Sequence, residues 1–546
     1  MVEEKKEENI QSELSLNTEQ ETSQIKTGIK KSELLFQLQE NVEIPTLPDI
    51  ADKKQIDIRY PVLPPYAYIH LHWDEINHEL VYDVEEPVLD EYEQRVLKIL
   101  EEGVKELINI SFIRVKEKNL ILEYLEKNIK LLLSELTIRL TRDSFIKIMY
   151  FIYRNFVGFN EIEAIMQDYF IEDIECNGSE TPIYIVHRKF RNLRTNIVFK
   201  NNALLATFVE KLAQKAGKYI SYSNPLLDGR LPDGSRVNAT YTQDISSRGP
   251  TFTIRKFTKD PWSPIKMMEF RTISPEMLAY LWIAIEHESS IMIVGGTGSG
   301  KTSMLNALCF FIPQASRIVS IEDTRELNLA HENWLPSVSR EGVGLANIMG
   351  QKHGEVSLFD LLKESFRQRP DYVIVGEIRG KEAYVLFQGM ASGHPSFGTM
   401  HAESVETMIR RLETEPINLS PALISSLDIL CIMVPAKIGG KPVRRMKEIT
   451  EIVNVDEELG KVQKNVPFIW NPATDKFYFK SNSTVFKKIV EKHGISEKKL
   501  IEEFRKRSLI IMEMYKRKIF DFQKVQEIIH RYYKAPELVL KEFGIK

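Results

Sequence analysis

The run IMIVGGTGSGKT, residues 291–302, sets out the residue types that hold a phosphate chain in the order that chemistry requires. Gly295, Gly296, Thr297, Gly298, Ser299 and Gly300 make a loop of small residues, and Lys301 and Thr302 follow directly. The spacing from Gly295 to Gly300, Lys301 and Thr302 is that of a P-loop. Glycines let successive backbone N–H groups converge on phosphate oxygens, and a helix N-terminus adds a favourable partial charge. In such a loop Lys301 reaches the β- and γ-phosphates, and the Thr302 hydroxyl binds magnesium. The apolar run Ile291–Val294 reads as the preceding strand, and SMLNALCFFI has the periodicity of the following helix. The expected ligand is ATP with Mg2+.

Three later segments place further chemistry after apolar runs. IVSIEDTREL, residues 318–327, ends a strand in Glu322 and Asp323. RPDYVIVGEIRG, residues 369–380, ends a strand in Gly376 and Glu377, with Arg379 just beyond. An aspartate that helps hold magnesium commonly closes such a strand, so the carboxylate here is displaced by one position; Gly376 is expected to leave Glu377 room to face a water. GHPSFGTMHAES, residues 393–404, puts His401 after a short strand at Ser396–Met400. In open parallel sheets ligands sit beyond the carboxyl ends of the strands, so loops far apart in sequence can converge. Singly, each carboxylate also fits a helix cap. His394 and His401, with no cysteine nearby, make a poor zinc motif.

The elements that must position these groups are an α/β repeat. From about residue 261 helix and strand patterns alternate, the texture of a parallel sheet covered by helices. The expected organisation is a disordered polar tail at 1–35, an N-terminal helical region at 36–140, an α+β domain at 141–260, the ATPase domain at 261–460 and a mostly helical C-terminal region at 461–546. Within the helical region, YPVLPPYAYIHLHW and LVYDVEEP suggest short strands or extended packing. Pro261 and Pro264 flank the expected linker.

Composition narrows the class. Net charge is -4, and 43% of residues are hydrophobic, which argues against binding nucleic acid by bulk charge. Three scattered cysteines exclude a disulfide framework and a four-cysteine zinc site. The N-terminus lacks the apolar core of a signal peptide, and no run has the length to cross a bilayer. A cytoplasmic setting is expected, with any membrane association made peripherally through a partner.

Together, GGTGSGKT, SIEDTREL, RQRPDYVIVGEIRG and SGHPSFGTMHAES resemble, in order and spacing, the Walker A, Asp-box, Walker B and His-box segments of the type II/type IV secretion ATPase superfamily. The resemblance runs from roughly residue 60 to residue 450 and is nearest to the archaeal branch, which serves type IV pili and the archaellum. Upstream, IEDIECNGSETPIYIVHRKFRNLRTNI and DGRLPDGSRVNATY resemble the N-terminal domain of that branch.

The resemblance implies a RecA-like ATPase domain, a separate α+β (PAS-like) N-terminal domain and a homo-oligomer, a hexameric ring. It also implies a partner, a polytopic membrane platform protein of a pilus, archaellum or secretion system. Glu377 is expected to orient and activate water, and Glu322 to order magnesium, directly or through its water shell, or to share the base role. His401 is expected to sense the γ-phosphate. Arg236 and Arg255, ahead of Arg230, fall in the segment resembling the family's arginine-finger region. The alternative is a RecA-like ATPase that translocates nucleic acid, for which HRKFRNLR is a small basic cluster with an aromatic that could touch phosphates.

Overall fold

The computed structural model describes residues 34–545 except 40–41, 46, 49, 51, 108–117, 258–260, 341, 343–352 and 456–461. The polar tail expected at 1–35 therefore lies outside the described residues, apart from Leu34 and Leu35. The chain forms two compact units, divided between Lys256 and Phe257.

The first unit is built on a nine-stranded sheet. Its strands are β1 (Asp57–Leu63), β2 (Ala67–Asp74), β3 (Glu79–Glu85), β4 (Ile171–Cys176), β5 (Pro182–His187), β6 (Arg191–Val198), β7 (Leu226–Arg230), β8 (Arg236–Thr240) and β9 (Thr251–Arg255). Their order is β1-β2-β3-β6-β5-β4-β9-β8-β7. Pairing is antiparallel except where β3 meets β6, so strands from the expected helical region continue the sheet of the next expected domain. Alternation decides which face is core: in β2, Ile69 and Leu71 are fully buried while His70 and His72 are not. Helices Glu91–Leu107, Lys118–Glu135 and Arg142–Ile152 contribute Leu100, Ile129 and Ile148 to that core.

The second unit holds the parallel sheet. Its strands are β10 (Ile291–Gly295), β11 (Ile318–Glu322), β12 (Trp334–Val338), β13 (Tyr372–Val375), β14 (Ser396–Met400), β15 (Ile429–Ile438), β16 (Lys441–Val455), β17 (Val462–Asn471) and β18 (Lys476–Phe479). The order is β12-β11-β13-β14-β10-β15-β16-β17-β18. The first six are mutually parallel, and β15 to β18 run antiparallel. Strands β10, β11, β13 and β14 are buried at every position, because helices cover both faces. Alternate residues feed two cores: Ile291 and Ile293 pack into one, Met292 and Val294 into the other.

The C-terminal region differs from the expected separate segment. Strands β17 and β18 extend the second sheet, and helices Glu497–Lys516 and Phe522–Lys534 bury Ile510, Ile511, Met514 and Ile529 in the same core as the P-loop helix. Glu451 of β16 is fully buried and pins the region, accepting hydrogen bonds from Tyr280 at 2.8 Å, from the Thr484 amide at 2.7 Å and from Asn465 at 2.7 Å. A buried carboxylate so fully bonded stays charged; burial alone would raise its pKa, but hydrogen bonds from Ser483, Thr484 and Asn465 hold it below the ordinary glutamate value.

Candidate functional site

Parallel strands bring their carboxyl ends to one edge, and the strand order decides which ends are neighbours. The sequence order of the motifs is 301, 322, 377, 401, whereas the sheet places β11, β13, β14 and β10 side by side. Glu322, Glu377, His401 and Lys301 thus form a row along that edge.

The row is joined by direct contacts. Lys301 Nζ lies 3.4 Å from His401 Nδ1, and His401 Nε2 lies 3.1 Å from Glu377 Oε1. Arg379 donates to Glu377 Oε2 at 2.6 Å, and its Nη1 lies 3.7 Å from Asp323. The lysine contact defines the imidazole: with Lys301 donating to Nδ1, the ring proton sits on Nε2, the nitrogen nearer Glu377. Burial, then the Lys301 charge, holds the His401 pKa below the usual histidine value, which keeps the ring neutral. Burial pushes the Glu377 carboxyl up, but the Arg379 hydrogen bond and the charges of Arg379 and Lys301 outweigh it, and the pKa ends below the ordinary one. Lys301 is lowered by burial, against the pull of Glu377 and Glu326.

The loop between β10 and the helix Lys301–Cys309 has the form its glycines allow. Gly298 and Gly300 sit at φ of 70° and 91°, the left-handed region that suits glycine. A Cβ on Gly295 would come 2.4 Å from the Met433 carbonyl oxygen and 2.5 Å from Ser299 Oγ, whereas Gly296 and Gly298 face open space. Inside the loop the Gly296 carbonyl accepts from Lys301 Nζ at 3.1 Å and from the Ser299 amide at 3.3 Å. Ser299 is fully buried, and its Oγ has no hydrogen-bond partner among the described residues. Lys301 and Ser299 thus aim donors into the loop, and the chemistry of this donor set suits phosphate oxygens. Thr297 is exposed, and Thr302 is half-buried in the first helical turn.

Glu322 is only 2% exposed, and its Oε1 accepts from the Glu326 and Leu327 amides at 2.8 and 3.0 Å. It holds the turn after β11 in shape, a task not visible in SIEDTREL. The glycine beside it is explained differently from the sequence reading: a Cβ on Gly376 would meet Glu322 Cγ at 2.9 Å, so Gly376 makes room for Glu322 rather than for Glu377. His394 lies at the opposite end of β14 from His401, edge-on to Phe366. No group of three metal-binding side chains occurs among the described residues.

In the first unit, Arg230, Arg236 and Arg255 lie in one cross-strand row, with Arg230 opposite Arg236 and Arg236 opposite Arg255. Arg236 is bound bidentately by Asp228 at 3.0 and 2.7 Å, and Asp173 is opposite Arg255. The basic cluster at 187–194 is engaged within the fold: Arg188 stacks on Tyr169, Lys189 donates to the Leu47 and Pro48 carbonyls, and Arg194 pairs with Asp74 and Glu79.

A P-loop at the edge of a doubly covered parallel sheet, with acids and a histidine after neighbouring strands, defines a nucleoside-triphosphate-binding protein. Residues 158–436 match the family described as type II/IV secretion system protein, and the chain belongs to it, as a member of the type II/type IV secretion ATPase superfamily. It is 39% identical over 400 residues to the uncharacterized protein MJ0900 of Methanocaldococcus jannaschii, covering 72% of this chain and 71% of that one. It is 28% identical over 290 residues to the type IV secretion system protein PtlH of Bordetella pertussis, covering 46% of this chain and 83% of that one. Among solved structures, the Legionella pneumophila ATPase DotB aligns at 15% identity and a TM-score of 0.38, over 67% of this chain and 92% of its own. The pilus retraction motor PilT with bound ADP aligns at 18% identity and a TM-score of 0.38, over 65% and 92%. No helix among the described residues is long and apolar enough to cross a membrane.

Proposed function

We propose that the protein is a Mg2+-dependent ATPase motor, working as a hexamer, that powers assembly of a type IV pilus-like filament, an archaellum or a related secretion machine at the cytoplasmic membrane. The observation that carries the reading is the contact chain Lys301–His401–Glu377, in which a neutral histidine lies 3.4 Å from a phosphate-binding cation and 3.1 Å from a carboxylate. Gly295 to Thr302 bind the phosphates, with Lys301 exchanging the Gly296 carbonyl for phosphate oxygens. Thr302 and Glu322 would hold magnesium, which when bound would neutralise charge on the transferred phosphoryl group. Glu377 orients the attacking water and takes its proton. His401, bonded to Lys301 and in contact with Glu377, couples occupation of the loop to the position of that carboxylate. Arg236 and Arg255 supply further positive charge in the assembled ring, a contribution worth about 10³–10⁵ in rate when an arginine neutralises the transition state. The partner is a polytopic membrane platform protein, reached from the cytoplasmic side. The engaged basic cluster at 187–194 favours this reading over nucleic-acid translocation.

Glu377→Gln tests the mechanism. It retains ATP binding and loses about 10²–10⁴ in turnover, the range for removal of a general base. Phosphate release at the wild-type rate rejects Glu377 as that base.

A further inference from the structure

One contact to the phosphate loop comes from outside the four motifs. Arg444, on β16, donates from Nε to the Gly298 carbonyl at 2.9 Å. Its side chain also lies against the other left-handed glycine of the loop, since a Cβ on Gly300 would sit 3.3 Å from Arg444 Cδ. The strand presenting it is anchored by the next residue: Arg445, pointing to the opposite face, is 3% exposed and is held bidentately by Asp475 at 2.8 and 3.0 Å. The base of the loop is fixed from the same side, because Gly295 pairs with Met433 of β15.

We infer that Arg444 is a positioning residue for nucleotide binding, and that it acts by setting the direction of the peptide between Gly298 and Ser299. In a trans peptide the C=O and N–H point in opposite directions. Arg444 holds the Gly298 carbonyl outward, so the Ser299 amide is turned inward, where it now meets the Gly296 carbonyl at 3.3 Å. That inward amide is a donor for a phosphate oxygen. Gly298, without a Cβ, can rotate this peptide at little steric cost, so an external hold on its carbonyl removes a freedom that phosphate binding would otherwise have to restrict. The donor is a charged guanidinium, and hydrogen bonds to charged groups are the stronger kind. The effect belongs to binding of the phosphate chain rather than to the hydrolytic step.

The inference rests on the P-loop reading but not on hydrolysis, and the experiment separates the two. Wild-type protein, Arg444→Ala and Arg444→Lys are compared for affinity towards a fluorescent ATP analogue, for KM and kcat of phosphate release, and for melting temperature without nucleotide. Arg444→Ala is expected to weaken analogue binding and raise KM about tenfold, with kcat and the nucleotide-free melting temperature near wild type. Arg444→Lys, which keeps a cationic donor, recovers part of the affinity. Unchanged affinity in Arg444→Ala overturns the inference, as does a parallel fall in melting temperature, affinity and kcat. Wild-type protein that binds the analogue without hydrolysing ATP sinks the proposed ATPase while the affinity comparison still decides the role of Arg444.

Discussion

The Glu322 side chain lies across the α-carbon of Gly376, so closely that a Cβ there would stand 2.9 Å from Glu322 Cγ and 3.4 Å from its Cβ. Glu322 has little freedom to withdraw, being buried and bonded to two backbone amides. Gly376→Ala is therefore expected to lower stability by about 1–3 kcal/mol, the range for overpacking a filled site. Because Glu377 is the next residue, turnover falls as well. Thermal melting and phosphate release check both, and a variant that melts like wild type disproves the packing explanation.

Arg379 holds the Glu377 pKa down through its 2.6 Å hydrogen bond and its charge. A base with a depressed pKa stays deprotonated to lower pH, so the acid limb of the rate profile lies below the ordinary glutamate range. Removing the arginine raises that pKa. Arg379→Gln is predicted to move the acid limb of kcat/KM to higher pH, as measured by phosphate release across pH 4–8; a limb that stays in place assigns the limb to another group.

His187 is fully buried in the first unit and packs against Phe170 and Phe190. Its Nδ1 accepts from the Lys189 and Phe190 amides at 3.0 and 3.2 Å, so it folds neutral, and burial pushes its pKa down to about 3. The unfolded chain takes up a proton near pH 6.5 and the folded one does not, so stability rises with pH between about 3 and 6.5 and falls as acid is added. His187→Phe removes this term and flattens the dependence in that window by up to about 1.4 kcal/mol per pH unit. It also lowers stability near neutrality, because the Lys189 amide and the buried Phe190 amide lose their acceptor. Chemical denaturation at several pH values measures both effects, and a slope unchanged in the variant refutes the assignment.

Much of the candidate site is written in local sequence. The P-loop spacing and the apolar runs ending in Glu322, Glu377 and His401 are short-range patterns, because a strand buried on both faces needs a continuous apolar run and a tight phosphate loop needs glycine. The parallel sheet follows from the alternation of helix and strand. Less of the flanking architecture was legible. The C-terminal helices are amphipathic, which says that one face must be covered but not by what; their partners, Tyr280, Trp282 and Phe311, lie some two hundred residues earlier. The strands β1 to β3 likewise found their neighbour, β6, across the helices that separate them in the chain.

By itself the sequence determined which residues stand at strand ends and which loop can cradle phosphate, since both depend on spacing within a dozen residues. Only the tertiary structure decided that Glu377 meets His401 and that His401 meets Lys301, because neighbours in a sheet are set by strand order, β11-β13-β14-β10, and not by position along the chain. The same holds for Gly376, whose missing side chain answers to Glu322 on the adjacent strand, and for Arg444, which reaches Gly298 from a hairpin about 150 residues away. Contacts of that kind come from packing whole elements together, and no local pattern encodes them.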